Sequence, residues 1–540
     1  MGCGQSSSPL NDSRLHTEGL TIRNVFFGEK KKNSTSIIKK NSNATKYQRS
    51  FSENTFLTNN LKIFPNAINV PIYAGLFIKP KQAVFSEKYS IIKELGSGAY
   101  GVVLHCQEKE TLREAAVKKI NVLHLKEEAQ ERVFNEFMVG KYLDHPNIIR
   151  LYDVFMEEST LYILTELYTG GELFDEIVCR QKFSEFDAAR LMRCIFSGVS
   201  YLHKYHILHR DLKPENLIFE NKSAEANIKI VDFGLAAFYD PMKKMNERLG
   251  TAHYVAPEVL KKKYDEKCDI WSLGVILYIL LCGYPPFRGA TNEAVLKNVK
   301  KGKVSFPSAD WNFISSSAKN LINKMLTLDP AKRISAQECV NHPWIQTLKQ
   351  QPTLVQTSSL ASALGNLRKF HSSKQLAQLA CLYITSQLLS VKDVKIISQI
   401  FYFLDVNGDG QLDKKELLKG YSNLVKTKDL SQPFLTEQCI FDQIDQILLA
   451  IDLDKNGIID YSEFIAAAVD KTTLLSNEKL LKAFQVFDTD NSGTITLLEL
   501  KQILTNVTDE YGKEIIQDVD CNSDGLVDFD EFTKMMHKLC

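Results

Sequence analysis

The sequence predicts an α+β unit in two lobes, followed by an all-α unit built from two helix–loop–helix pairs. Three observations carry this. The chain has 540 residues, well past the roughly 250–300 at which one hydrophobic core stops growing, so at least two domains are expected. An alternating, β-like pattern that opens at Tyr89 gives way from about Phe183 to a helical apolar period running to near Trp344. Beyond it a twelve-residue pattern starts at Asp405, Asp452, Asp488 and Asp520, an internal repeat that sets the architecture of the C-terminal third.

Taken in order, residues 1–83 are rich in Ser, Asn and Lys with little apolar period, a composition that does not bury enough surface to order itself. A flexible tail is expected there. Residues 84–345 hold the α+β unit. Residues 346–394 place Leu364, Leu367, Leu376, Leu379, Leu382, Tyr383 and Leu388 at helical spacing, as in one or two amphipathic linker helices. Residues 395–540 hold the four repeats. Lys+Arg (66) balances Asp+Glu (65), so net charge points to no nucleic-acid partner. Eleven scattered cysteines without C-x-x-C pairs argue for reduced thiols and a cytosolic setting. The longest apolar run, Ile270 to Cys282, is too short to span a bilayer and reads as a buried helix. Asn33 and Asn43 open glycosylation sequons that read as bland linker residues in such a setting.

Gly96-Ser97-Gly98-Ala99-Tyr100-Gly101-Val102-Val103 fits G-x-G-x-x-G-x-V, in which glycines let backbone amides close over phosphates. The next strand supplies Lys118, an ammonium placed to hold the α- and β-phosphates of ATP. His209-Arg210-Asp211-Leu212-Lys213-Pro214-Glu215-Asn216, then Asp232-Phe233-Gly234 and Ala256-Pro257-Glu258, follow in order. Phosphoryl transfer asks for a carboxylate to orient the accepting hydroxyl, which is Asp211, and for oxygen ligands to Mg2+, which are Asn216 and Asp232. Singly, such Asp and Asn residues are turn formers; jointly they are a catalytic constellation.

The repeats fit a calcium loop. Position 1, 3 and 5 side chains are Asp405, Asn407 and Asp409; Asp452, Asp454 and Asn456; Asp488, Asp490 and Ser492; Asp520, Asn522 and Asp524. A backbone carbonyl at position 7 comes from Gln411, Ile458, Thr494 or Leu526, and a bidentate carboxylate at position 12 from Glu416, Glu463, Glu499 or Glu531. A hard cation of the size of Ca2+ takes six to eight such oxygens. Leu412, Ile459, Ile495 and Val527 at position 8 suit a short strand joining loops in pairs. The third loop has the fewest carboxylates and is expected to be the weakest site.

Residues 89–345 resemble a eukaryotic protein kinase domain of the calcium/calmodulin-dependent group. With the linker and the four EF-hands, the whole chain beyond the tail resembles the calcium-dependent protein kinases of plants and apicomplexan parasites, the parasite branch more closely. The resemblance implies a bilobal protein kinase fold with a calmodulin-like domain of two EF-hand pairs, transfer of the ATP γ-phosphate to protein Ser or Thr, and a linker that restrains the enzyme until Ca2+ acts. It implies that Glu136 pairs with Lys118, that Thr165 lines the rear of the nucleotide pocket, and that Glu166 to Tyr168 form the adenine hinge. Lys213 matches the serine/threonine pattern, Leu235 accompanies serine preference, and Glu172 matches a carboxylate that receives an arginine three residues before the acceptor. Family members with Arg before the catalytic Asp usually need a phosphate in the following loop, yet Leu235 to Gly250 holds no Ser or Thr. Glu247 is expected to supply that charge to Arg210.

Met1-Gly2-Cys3-Gly4-Gln5-Ser6 fits M-G-x-x-x-[ST], so Gly2 is a myristoylation candidate and Cys3 a palmitoylation candidate. One acyl chain holds membrane only marginally, and the basic stretch from Lys30 to Arg49 would add to it. The expectation is a monomeric enzyme on the cytoplasmic face of a membrane, acting on proteins with basic residues before the acceptor, without separate calmodulin. A calcium-binding scaffold with an inert kinase domain is the alternative; Lys118, Asp211 and Asp232, all present, speak against it.

Overall fold

The computed structural model describes residues 80–81, 84–97, 101–247, 249–346, 357–370, 375–389, 391–426, 437–503 and 509–538. Gly2, Cys3 and Gly98 lie outside them. The first lobe is a six-stranded sheet of β1 (Pro80–Lys81), β2 (Tyr89–Ser97), β3 (Val102–Glu108), β4 (Glu114–Asn121), β5 (Leu151–Glu157) and β6 (Thr160–Thr165). Its spatial order is β1-β5-β6-β4-β3-β2. β2, β3 and β4 form the antiparallel meander that the alternation predicts. β1 runs parallel to β5, with Pro80 opposite Val154, so the sheet reaches into the segment assigned to the tail. Main-chain pairing on an open edge needs no apolar period, which is why composition did not reveal it. Next to it Phe85 is buried and stacked on Tyr89 and Tyr162, at 5.2 and 4.6 Å between centroids. The long helix α1 (Glu127–Lys141) also packs on this sheet.

The second lobe is helical, with α2 (Leu173–Arg180), α3 (Glu185–Lys204) and α4 (Lys267–Cys282) around its core. Ser184 caps α3 by accepting the Asp187 amide. α4 is the apolar run; it is buried on all sides and ends at Gly283, which adopts φ +83°. Among the described residues no helix is long and apolar enough to cross a membrane.

The linker forms α5 (Thr357–Lys369) and α6 (Gln375–Tyr383), with a π-helical turn at Ile384–Leu388. The EF-hand region supplies α7 (Val391–Leu404), α8 (Lys414–Lys426), α9 (Glu437–Ile451) and α10 (Tyr461–Ala468) in one pair. The other pair is α11 (Asn477–Phe487), α12 (Leu497–Ile503), α13 (Asp509–Gln517) and α14 (Phe529–Lys538). Each pair is closed by a two-residue antiparallel ladder, Gln411–Leu412 with Ile459–Asp460 and Thr494–Ile495 with Val527–Asp528. Leu364, Leu367, Leu376 and Leu379 are buried in one core with Phe401, Phe464, Phe484 and Phe532. The apolar face of the linker therefore belongs to the EF-hand region.

The first EF-hand pair also rests on the α+β unit, against the segment between α1 and β5 and against α3. Tyr402 Oη donates to the Pro146 carbonyl (3.1 Å) and accepts from Asn147 Nδ2 (3.1 Å). Arg193 Nη2 donates to the Asp405 carbonyl (3.2 Å), and Gln411 Nε2 to Tyr205 Oη (2.9 Å). Lys204 also bonds the Gln411 side chain.

Candidate active site and calcium loops

Strand register brings the nucleotide residues together before any side chain is considered. Gly96 lies opposite Val103, and Val103 opposite Lys118, so the glycine strand and the lysine stand in register on either side of β3. Gly101 is needed for packing as well: a Cβ there would lie 2.2 Å from the Lys119 carbonyl oxygen, whereas one at Gly96 would meet nothing within 4 Å. From α1, Glu136 receives both carboxylate contacts of Lys118 Nζ, at 2.7 and 2.6 Å. Burial, and less strongly Asp232, raise the Glu136 carboxyl above its ordinary value, and Lys118 works against them.

The catalytic loop lies beneath. Lys213 Nζ donates to Asp211 Oδ2 (2.5 Å), Asn216 Nδ2 to the Asp211 carbonyl (2.8 Å) and Thr251 Oγ1 to Asp211 Oδ1 (3.1 Å). Burial opposes the Lys213 charge, yet Asp211 holds its ammonium above the ordinary value. Asp232 adopts φ +64°, and its carboxylate accepts the Gly234 amide at 3.3 Å. The loop is fixed from below by the buried Asp269, whose carboxylate accepts the His209 amide (3.0 Å) and the Arg210 amide (2.9 Å). Arg210 reaches Glu247 at 2.5 Å and the Leu235 carbonyl at 2.6 Å, so the expected unphosphorylated tether is present.

Ser97 ends β2, Thr165 ends β6, and the Glu166 amide donates to the Arg150 carbonyl at 3.1 Å. Tyr168 Oη donates to Glu166 Oε2 at 2.5 Å. Glu172 stands at the N-terminus of α2; burial, then Asp175 and Glu215, raise its carboxyl. Thr251, Asp269, Asp175 and Glu215 are additions that motif reading did not single out. For Asp269 a signal existed, because a charge in an apolar helix calls for buried partners. Thr251 is brought to Asp211 by the fold alone.

The four calcium loops share one internal pattern. The position-6 glycines Gly410, Gly457, Gly493 and Gly525 adopt φ of +78°, +82°, +85° and +81°, which only glycine adopts without strain. Their amides donate to the position-1 carboxylates of Asp405, Asp452, Asp488 and Asp520, at 3.0, 2.7, 2.9 and 2.8 Å. Glu416, Glu463, Glu499 and Glu531 each accept backbone amides from both ends of their loop. In the first three loops three carboxylates bring oxygens within 4.8 Å of one another. Burial, then Asp409 and Glu416, push the Asp405 carboxyl up to about 7, and burial with Asp452 pushes Asp454 up to about 6. Crowded carboxylates of one sign, surrounded by oxygen donors, fit a divalent hard cation. Asn407, Asn456, Ser492, Asn522 and Asp524 lie in the same loops, where the backbone amides of Asp409, Asn456 and Asp524 donate to the position-3 side-chain oxygens of Asn407, Asp454 and Asn522.

The protein kinase domain family matches residues 89–345, and the EF-hand domain pair family matches residues 395–469 and 477–537. Calcium-dependent protein kinase 4 of Plasmodium falciparum is 43% identical over 99% of both chains, and its Plasmodium berghei counterpart is 42% identical over the same share. Calcium-dependent protein kinase 3 of Plasmodium berghei is 41% identical over 83% of this chain and 80% of its own. The enzyme uses ATP and Mg2+, and its EF-hands bind Ca2+. A lysine–glutamate pair over a bonded catalytic aspartate, and four calcium loops on the same chain, agree with these matches: the protein belongs to the calcium-dependent protein kinases and is a calcium-activated serine/threonine kinase.

Proposed function

We propose that Ca2+ activates this kinase by drawing the linker into the EF-hand core, away from the catalytic face. The observation that carries this is the burial of Leu364, Leu367, Leu376 and Leu379 among EF-hand residues. Filled EF-hand pairs open an apolar groove, and an amphipathic helix occupies it. In this reading Asp211 orients and accepts the proton of the substrate hydroxyl, while Lys213 steadies the developing charge. Lys118, held by Glu136, positions the phosphates beside the glycine-rich sequence from Gly96 to Val103, and the hinge from Glu166 to Tyr168 receives the adenine. Asn216 and Asp232 would hold Mg2+, which would supply positive charge to offset that of the phosphates.

The substrates are proteins with arginine three residues before the acceptor. Support comes from Glu172, whose carboxyl is raised by burial and then by the neighbouring charges of Asp175 and Glu215, a concentration of negative charge that suits an arginine. The enzyme works as a monomer, held at the cytoplasmic face of a membrane by acylation at Gly2 and Cys3. The sequence pattern at the N-terminus supports that placement.

Hydrogen exchange of residues 357–389 in the full chain tests the switch. Strong protection in Ca2+ that is lost in chelator is expected; equal protection in both would sink it. Glu172→Gln should abolish the preference for an Arg-x-x-Ser over an Ala-x-x-Ser peptide, and an unchanged preference would remove Glu172 from substrate reading.

A further inference from the structure

The second calcium loop ends two bonds away from the nucleotide hinge. Ser462 is loop position 11, next to the Ca2+ ligand Glu463, and it is the second residue of α10. Its backbone amide and its hydroxyl both donate to the Asp144 carboxylate, at 2.9 and 2.7 Å. Asp144 and Ser462 are 3% and 2% exposed, so a buried carboxylate of the other domain takes a first-turn amide of a helix that its own Asp460 and Glu463 already cap. Arg150 completes the junction: its Nη2 lies 3.1 Å from Ser462 Oγ and 3.4 Å from Asp144 Oδ1. Its guanidinium also sits 5.5 Å from the Tyr461 ring centroid. The main chain of Arg150 is the partner of the hinge, since its carbonyl accepts the Glu166 amide at 3.1 Å. On the far side Lys229 approaches Glu166 at 3.9 Å and lies 5.4 Å from the Tyr168 ring centroid.

We infer that Ser462, Asp144 and Arg150 are positioning residues for the nucleotide. Filling the second loop fixes Glu463 and the start of α10, which seats Ser462 on Asp144; the seated junction holds Arg150, and Arg150 holds the hinge strand that meets adenine. Ca2+ in the first EF-hand pair and ATP are then linked ligands. By linkage each tightens the other by the same factor. The inference does not depend on where the linker rests or on acylation, because it concerns nucleotide affinity and not access of the protein substrate.

Isothermal titration of a non-hydrolysable ATP analogue into the full chain, in Ca2+ and in chelator, tests it. In the wild type Ca2+ should tighten the analogue at least about fivefold, and the analogue should lower the Ca2+ midpoint by an equal factor. Ser462→Ala should lose most of this coupling and raise KM for ATP, with kcat altered less than about twofold. Ser462→Thr, which keeps the hydroxyl, should retain it, and a melting curve will show whether each variant is folded. Analogue affinity indifferent to Ca2+ in the wild type would overturn the inference. So would a folded Ser462→Ala variant with coupling intact, or one that lost kcat with KM for ATP unchanged.

Discussion

Replacing Gly410 by alanine should undock the first EF-hand pair, and the same change at Gly457 should not. Both glycines hold positive φ, +78° and +82°, so both variants carry a left-handed strain of about 1–2 kcal/mol. Only at Gly410 does the new methyl have a neighbour: it would lie 1.9 Å from His145 Cδ2 and 2.1 Å from Nε2, whereas at Gly457 nothing stands within 4 Å. The imidazole is pinned, with Nε2 3.0 Å from Ser197 Oγ and Nδ1 accepting the Asn147 amide at 2.9 Å. Burial lowers its pKa to about 3, so it stays neutral. Overpacking against a fixed ring costs about 1–3 kcal/mol, equivalent to about a 5- to 150-fold shift toward the undocked state. Small-angle scattering of the full chain in saturating Ca2+ would register an expanded population for Gly410→Ala and the wild-type profile for Gly457→Ala. Indistinguishable profiles, with equal Ca2+ activation, would refute the docked arrangement.

Other consequences can be checked separately. Glu136→Gln removes a charge from a bonded pair worth about 1.5–3 kcal/mol, so kcat/KM should fall about tenfold or more while melting moves little; unaltered kinetics would contradict the pairing. The Arg210–Glu247 contact has one exposed end, Glu247 being 55% exposed, so Glu247→Gln should change the melting temperature little yet reduce kcat severalfold, and equal activity would show that the loop needs no such tether. The Asp405 carboxyl is raised toward about 7 by burial and its acidic neighbours. A carboxyl raised in the folded state favours the Ca2+-free fold at lower pH, and that contribution is lost as pH rises through about 7. Ca2+ needs it ionised, so affinity at this loop should weaken as pH falls below 7, with proton release visible as buffer-dependent heat near pH 6.5; identical heats in buffers of different ionisation enthalpy would count against it. Leu376 is wholly buried, and Leu376→Ala should cost the EF-hand region about 2–5 kcal/mol and change the Ca2+ dependence of activity, whereas an unchanged dependence would detach the linker from control.

Much of the catalytic site was legible because its chemistry is local in sequence. Asp211, Lys213 and Asn216 fall in one loop, and each calcium loop is a single twelve-residue stretch, so spacing alone fixes which groups meet. The buried face of the linker was likewise written in the period of Leu364, Leu367, Leu376 and Leu379. What the sequence concealed depends on contacts between distant segments. Nothing near Thr251 marks it as a partner of Asp211, and the dipeptide Pro80–Lys81 carries no strand pattern because β5 supplies its bonding. The seat of Ser462 on Asp144 spans 318 positions, and loop position 11 has no ligand role that would draw attention to it. Gly410 is a turn glycine at loop position 6; that its missing Cβ also leaves room for His145 emerges only when the domains are assembled.

The central claim is that Ca2+ in the chain's own loops governs phosphoryl transfer by Asp211. It is tested most directly by phosphate transfer from ATP to an Arg-x-x-Ser peptide, using the purified full chain with no calmodulin added. Activity in Ca2+ that disappears in chelator, and disappears under both conditions in Asp211→Asn, is the predicted result. Equal transfer with and without Ca2+ would contradict the account.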